Sequence, residues 1–267
     1  MHSKRARVLG SVGMVATAAP AISGLWALCA WEARRARGGE RPYTDALDGT
    51  ARLGGGLAGA PLRVTWIGDS LAAGLGCDHV ADTPAHLSAR LLERAVDVTV
   101  LAVPGAKASD VIERQLDHVD PYTDVVVLCV GANDVASSTP RSVYTRQIGE
   151  ILTALAPTPV IMLTLPDMAM PDRMAEPLRS LAGARARYFE AARAKVAGQH
   201  DHVVSVDIAS RPAGLSRSAG RRLLCADRFH PGAEGYRLWA ERIAGALSEV
   251  LEPQVSHFHP SQITLAD

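Results

Sequence analysis

Five short apolar runs recur along the chain, and stretches with helical spacing follow them. The runs cover residues 62–67, 96–103, 125–130, 160–165 and 203–208. They are rich in valine, isoleucine and leucine, which is typical of parallel strands covered by helices on both faces. The helical stretches lie near 83–94, 108–118, 141–155, 176–198 and 232–251. This alternation predicts one doubly wound α/β domain over 61–251, with a five-stranded parallel sheet and right-handed crossovers.

The N-terminal part of the chain has a different pattern. Residues 8–31 form a stretch of 24 residues without a charge, and basic residues flank it on both sides. A helix of that length rises about 36 Å, enough to cross a hydrocarbon core of about 30 Å. The apolar run continues past small residues at 16–18 that resemble a signal-peptidase site, which favours an anchor that is not cleaved. We therefore predict a signal anchor or transmembrane segment at 1–31, and a protein that is anchored to the membrane or exported.

The orientation of this segment is not settled by its flanking charges, because they are nearly equal on the two sides. We expect the folded domain outside the cytoplasm; the alternative is a cytoplasmic domain on an oppositely oriented helix. Glycine and arginine are frequent in 32–60, which predicts a flexible linker, and 252–267 is predicted to be an irregular tail. The glycines at 54–59 match G-x-G-x-x-G, but a linker precedes them and a strand follows, so no dinucleotide site is predicted.

Composition excludes several classes of protein. The 267 residues carry 28 basic and 28 acidic side chains, a net charge of zero. A nucleic-acid partner is not predicted, because such binding needs a basic surface. The four cysteines contain no C-x-x-C pair, so neither a zinc site nor a disulfide scaffold is predicted. We predict no metal and no cofactor, and the oligomeric state is left open.

Polar residues with chemical potential follow the predicted strands. In doubly wound sheets, ligands bind beyond the carboxyl ends of the strands. The segments that lie there, or just before the last helix, are Gly68-Asp69-Ser70, Pro104-Gly105-Ala106, Gly131-Ala132-Asn133-Asp134 and Asp227-x-x-His230. Together they supply a hydroxyl, amide donors, a carboxylate and an imidazole. Asp69 is expected to organise its turn, and Asp134 to serve a helix N-terminus.

Each of these groups suits one role in attack on an acyl carbonyl. The Ser70 hydroxyl becomes a useful nucleophile when a base within hydrogen-bond reach accepts its proton. His230 is the natural base, because histidine exchanges protons near neutral pH. Asp227 can accept a hydrogen bond from the imidazole and so select the reactive tautomer. The backbone N–H groups of Ser70 and Gly105 and the side-chain amide of Asn133 can donate to the developing oxyanion.

These blocks, in this order, resemble those of the SGNH/GDSL hydrolase family, including Gly-Asp-Ser-Leu at 68–71. The resemblance covers 61–251 and implies a flavodoxin-like three-layer α/β/α sandwich. It also implies a metal-independent esterase, lipase, lysophospholipase, thioesterase or acyltransferase. By position it implies Ser70 as nucleophile, with Asp227 and His230 as acid and base. The oxyanion donors would be Ser70, Gly105 and Asn133. A G-x-S-x-G motif is absent around the serine, which disfavours an α/β-hydrolase elbow.

Methionines cluster after the fourth predicted strand. Four of the six methionines lie between 162 and 174. Methionine adapts to apolar ligands of varied shape, so Met168, Met170 and Met174 are candidates for an acyl-chain pocket. Ordinary packing explains the cluster equally well.

We predict from these features a serine ester hydrolase that acts through an acyl-serine intermediate on lipid-like acyl esters, such as lysophospholipids. An acyltransferase acting on envelope glycans or glycolipids would use the same acyl-enzyme, so the sequence does not separate the two. A carbohydrate deacetylase is also an alternative, although the aromatic content of 4% is low for a sugar platform. A membrane-tethered binding module without activity would have lost one of the site residues, and all are present.

Overall fold

The computed structural model describes residues 49–54, 59–210 and 220–251. Within these ranges, one sheet is formed by six strands: β1 (Gly49–Leu53), β2 (Leu62–Gly68), β3 (Val96–Val100), β4 (Val125–Cys129), β5 (Val160–Leu163) and β6 (Val203–Val206). The α-helices are α1 (Pro84–Arg90), α2 (Ala108–Arg114), α3 (Ala132–Ala136), α4 (Arg141–Leu155), α5 (Leu178–Ala197) and α6 (Ala233–Leu251). Short 3-10 turns lie at Val80–Asp82, Leu116–His118 and Arg221–Leu223.

The strand order is β1-β3-β2-β4-β5-β6, and β1 alone runs antiparallel to its neighbour. Val64 in β2 lies opposite Val98 in β3 on one side and Val125 in β4 on the other. The five predicted apolar runs are therefore the five parallel strands, and in chain order they are arranged 2-1-3-4-5, as in flavodoxin-like sheets. The predicted α/β fold class is confirmed.

The sixth strand, β1, was not predicted, and it occupies residues assigned to the linker. It pairs with β3 at the sheet edge, from Gly49 opposite Val100 to Leu53 opposite Val96. Arg52 also donates two hydrogen bonds to the Asp97 carboxylate, at 2.6 and 2.8 Å. Its sequence shows no apolar run, because an edge strand can be held by ladder hydrogen bonds with little burial. Residues 49–53 of the predicted linker over 32–60 therefore form a strand.

Two apolar cores lie on opposite faces of the sheet. In β4, Val125 and Val127 belong to the core that contains residues of α1 and α6. Val126 and Leu128 belong to the core that contains residues of α2, α4 and α5. Strand side chains alternate between the two faces, so a strand buried on both sides is apolar at every position. This arrangement is a three-layer α/β/α sandwich.

The topology creates a crevice above β2 and β4. The chain leaves β2 for β3 on one side and then crosses back to β4 on the other, which is a topological switch point. Loops after the two strands consequently diverge and leave space between them.

No described helix is both long and apolar enough to span a bilayer. The predicted membrane segment at 1–31 and the predicted tail at 252–267 lie outside the described residues, and both stay predictions.

Candidate active site

A cleft of about 1530 Å³ opens at the carboxyl edge of the sheet. Its lining includes all eight residues that the sequence singled out: Ser70, Gly105, Asn133, Met168, Met170, Met174, Asp227 and His230. Five segments that are distant along the chain thus meet around one space. The meeting follows from the fold, because parallel strands present their carboxyl ends on the same side.

Ser70, His230 and Asp227 form a continuous hydrogen-bonded chain. The Ser70 Oγ lies 3.1 Å from Nε2 of His230, and the His230 Nδ1 lies 2.6 Å from Oδ2 of Asp227. All three residues are buried. A hydrogen on Nδ1 satisfies the carboxylate and leaves Nε2 free to accept the serine proton. The arrangement is suited to generating a serine nucleophile.

The second oxygen of the Asp227 carboxylate is also fully engaged. Oδ1 accepts hydrogen bonds from the backbone N–H groups of Phe229 at 2.7 Å and His230 at 2.9 Å. It accepts a third from the thiol of Cys225, at 3.1 Å. Burial disfavours the charged carboxylate, but the hydrogen bonds from His230 and Cys225 outweigh it and hold the pKa of Asp227 well below its usual value. Asp227 is therefore ionised at neutral pH. The contribution of Cys225 was not predicted.

The loop that carries Asp227 and His230 is closed on itself. Leu224 and Pro231 form an antiparallel bridge, and the N–H of Cys225 donates to the carbonyl of His230 at 2.9 Å. Gly76 packs against this loop with a φ of +109°. A Cβ at position 76 would lie 2.3 Å from the Pro231 oxygen, so only glycine allows this contact.

The candidate oxyanion donors come from the loops after β2, β3 and β4. Nδ2 of Asn133 donates to the carbonyl of Ala106 at 3.0 Å, which ties the amide to the loop that contains Gly105. A side-chain amide has two hydrogens, so one remains for a ligand in the cleft. Gly105 has a φ of +87°, and a Cβ there would meet nothing within 4 Å. Glycine is needed at this position for its backbone conformation rather than for space.

Gln115 supports the strand end that leads to Ser70. Its side chain is almost fully buried, and it accepts from the Gly68 N–H at 2.7 Å and donates to the Gly68 carbonyl at 2.9 Å. The Gly68 carbonyl also accepts from the N–H of Val103 at 3.1 Å, so Gln115 supplies the acceptor for the Gly68 N–H and a second donor for its carbonyl. The residue lies 47 positions from Gly68, and no local pattern marks it.

Two buried carboxyl groups shape the loops rather than the chemistry. Oδ1 of Asp69 accepts from the N–H of Leu71 at 3.0 Å, within the turn that carries the serine. Oδ2 of Asp134 accepts from the N–H of Ala108 at 3.1 Å, at the first residue of α2. Asp134 thus serves a helix N-terminus, as expected, but that of α2 rather than of its own helix.

We expect Asp69 to make the stability of the protein depend on pH. Burial, reinforced by the charge of Asp134, raises the pKa of Asp69 from its ordinary 3.8 to about 7. Between these values the native state retains a proton that the unfolded chain has released, so the free energy of unfolding falls as pH rises. Above about pH 7 this contribution levels off.

An Asp69→Asn variant cannot titrate at this position and is expected to lose that part of the dependence. Denaturant unfolding of both proteins at about pH 5 and about pH 8 measures the difference. Equal changes between the two pH values in both proteins would contradict the assignment.

The site contains a hydrogen-bonded serine, histidine and aspartate beside amide donors, on a flavodoxin-like sheet. This combination of site and fold is that of a class of serine hydrolases. The model of the GDSL-like lipase/acylhydrolase family matches residues 66–238. The chain therefore belongs to the GDSL-like lipase/acylhydrolase family, a family of carboxylic ester hydrolases, and the predicted membership is confirmed.

Individual relatives agree with this family. A GDSL-like esterase of Mycobacterium tuberculosis (strain ATCC 25618 / H37Rv) is 29% identical over 210 residues, which cover 73% of this chain and 65% of that protein. The crystal structure of phospholipase A1 from Streptomyces albidoflavus NA297 is 19% identical and covers 71% of this chain and 99% of its own, with a TM-score of 0.56. A lipase/acylhydrolase structure from Enterococcus faecalis is 20% identical and covers 72% and 98%, with a TM-score of 0.56. Both structures share the fold.

Proposed function

We propose that this protein is a serine ester hydrolase with Ser70 as nucleophile and His230 as general base and acid. The observation that carries the proposal is the contact between the Ser70 Oγ and the His230 Nε2 at 3.1 Å, in line with the Asp227 carboxylate and facing a large cleft. Family membership supports the same reaction class.

The reaction proceeds by double displacement. The Ser70 Oγ attacks the ester carbonyl carbon while Nε2 of His230 accepts its proton. The N–H groups of Ser70 and Gly105 and the amide of Asn133 stabilise the oxyanion. His230 then protonates the leaving alcohol, which yields an acyl-serine. A water molecule that is deprotonated by His230 attacks this intermediate and releases the acid, and Ser70 recovers its proton.

We propose a lipid-like acyl ester as the substrate. Met168 and Met174 are buried in the cleft wall. The apolar lining of the cleft also includes Met170, Leu178, Leu181, Tyr188 and Trp239. The volume of about 1530 Å³ exceeds the roughly 300–1,000 Å³ of ordinary small-molecule sites, and far exceeds what an acetyl group needs. The predicted anchor at 1–31 would place this cleft beside membrane lipids.

Hydrolysis of p-nitrophenyl esters from acetyl to palmitoyl by the full chain tests this proposal. We expect a preference for longer acyl chains. A Met168→Ala, Met170→Ala double variant is expected to lower kcat/KM for long chains about tenfold more than for acetyl, because it removes apolar contacts that only a long chain makes. Leu91→Ala, at an exposed apolar residue outside the cleft, is the control for removal of an apolar side chain elsewhere.

The other outcomes are also informative. An unchanged chain-length preference in the double variant would contradict the methionine pocket. A preference for acetyl in the wild type would favour a deacetylase. A folded wild-type protein that hydrolyses no ester would favour an acyltransferase that needs its own acyl donor, or a binding module without activity.

A further inference from the structure

Two loops from distant parts of the chain border the cleft beside the serine. The methionine loop, residues 164–177, connects β5 to α5 and carries the three candidate pocket methionines. The histidine loop, residues 224–231, carries Asp227 and His230. The first loop faces the acyl chain and the second performs proton transfer, so a physical link between them would couple specificity to rate.

An ion pair joins the two loops. The Arg228 guanidinium donates to both oxygens of the Asp172 carboxylate, from Nε at 2.9 Å and from Nη2 at 2.9 Å. Nε of Arg221 lies 3.3 Å from the same carboxylate. The Asp172 side chain is only 9% exposed, although both arginines are more than half exposed. The hydrogen bonds from Arg228 lower the pKa of Asp172, so the pair stays charged.

The next residue in the methionine loop reaches the triad itself. The backbone N–H of Arg173 donates to the carbonyl of Arg228 at 3.3 Å. Its Nη1 also donates to the backbone carbonyl of Asp227, at 3.4 Å. The Asp172 pair therefore places Arg173 directly against the peptide of the aspartate that orients His230.

The backbone conformation of Arg228 indicates that its side chain makes a specific contact. Its φ is 59°, and among the described residues no other non-glycine residue has a positive φ. Residues with a long side chain rarely adopt this conformation, and glycine or asparagine would adopt it at lower cost. A strained backbone persists where the surrounding contacts hold it. Arg228 is held by its bidentate pair with Asp172 and by backbone bonds, from its N–H to the Cys225 carbonyl at 2.9 Å and from the Arg173 N–H to its carbonyl at 3.3 Å.

We propose that Asp172 and Arg228 are positioning residues. Their ion pair, called the clasp below, holds the methionine loop against the histidine loop and so sets both acyl-chain selection and triad geometry. This inference rests on the proposed ester hydrolysis. Breaking the pair frees both loops at once, so the rate and the chain-length preference are expected to change together.

The test compares Asp172→Asn, Arg228→Gln and their combination in the full chain. We expect each single variant to lower kcat on p-nitrophenyl esters roughly tenfold with a smaller change in KM, because misplacing the triad affects the transition state. The preference for long over short chains should also weaken. The double variant should be no slower than either single one, since both remove the same contact. Arg228→Lys should recover part of the rate, because lysine keeps the positive charge but cannot donate the two parallel hydrogen bonds of a guanidinium.

The matched control breaks a similar pair elsewhere. Arg52 and Asp97 form a bidentate pair at the β1 edge, at 2.6 and 2.8 Å, with an exposed arginine and a more buried aspartate. Neither residue lines the cleft. Asp97→Asn is expected to keep kcat and the chain-length preference of the wild type.

A measurement without substrate separates this inference from the proposed function. The proton between His230 Nδ1 and Asp227 is followed by its downfield NMR resonance, which is expected to shift or broaden in Asp172→Asn but not in Asp97→Asn. If the wild type hydrolyses no ester, the proposed function fails and this resonance alone decides the clasp. The clasp is overturned if Asp172→Asn matches Asp97→Asn in the resonance, or if its only effect is a lower melting temperature.

Discussion

Replacing Ser70 with alanine is expected to lower kcat on p-nitrophenyl esters by at least about 10⁴-fold while the protein stays folded. The side chain is buried, and its Oγ contacts the His230 Nε2 at 3.1 Å. Alanine removes the only atom that can form the acyl-enzyme and leaves no gap larger than one oxygen. The amide donors and the cleft remain, so binding of a substrate analogue should change little.

Ser88 provides a matched control for this substitution. It is also buried, but its Oγ donates to the carbonyls of Pro84 and Ala85 within α1, and it does not line the cleft. Ser88→Ala should retain wild-type kcat. Steady-state kinetics and labelling by a fluorophosphonate measure both variants. Activity or labelling of Ser70→Ala near the wild-type level would place the nucleophile elsewhere.

Gly68→Ala is expected to cause the largest loss of stability, about 3–5 kcal/mol or more. A Cβ at position 68 would lie 1.9 Å from the carbonyl oxygen of Cys129 and 2.6 Å from its carbon. These are backbone atoms of β4 at the centre of the sheet, so they cannot move aside. The φ of +139° adds strain for any side chain. Because a domain is stable by only about 5–15 kcal/mol, little soluble protein is expected.

The control is Gly245→Ala in α6. A Cβ there would meet nothing within 4 Å, and alanine favours a helix by up to about 1 kcal/mol over glycine. Its melting temperature should equal or exceed that of the wild type. Thermal unfolding and soluble yield compare the two variants, and a Gly68→Ala protein that melts with the wild type would refute the close approach of β2 to β4.

Local patterns were sufficient to predict most of the fold. The parallel strands could be predicted because their cores are apolar runs, and β4 and β5 are buried at every position. Strand β1 was missed because its stability comes from pairing with β3 and from the Arg52–Asp97 contact. Its own residues show no apolar run, and a pairing partner 45 positions away leaves no mark in a short window.

The residues of the candidate site, like the strands, could be predicted only in part. Ser70, Asn133 and His230 could be singled out because each lies within a few residues of a strand end or a helix start, at the edge where parallel strands end. Gln115 and Cys225 were missed, although one holds the strand before the serine and the other donates to the triad aspartate. Their types and neighbours are ordinary, and only the packing gives them a partner.

The sequence by itself determined the order of the parallel strands and their longer helices, the groups available for catalysis and the edge of the sheet on which they lie. These properties depend on local periodicity and on the rule that parallel strands end on one side. The tertiary structure decided the distances: the serine and histidine are 160 residues apart in the chain, and Asp172 and Arg228 are 56 apart. Hydrogen bonds and ion pairs require contact within a few ångströms, so only the packing of the whole domain determines which of these groups meet.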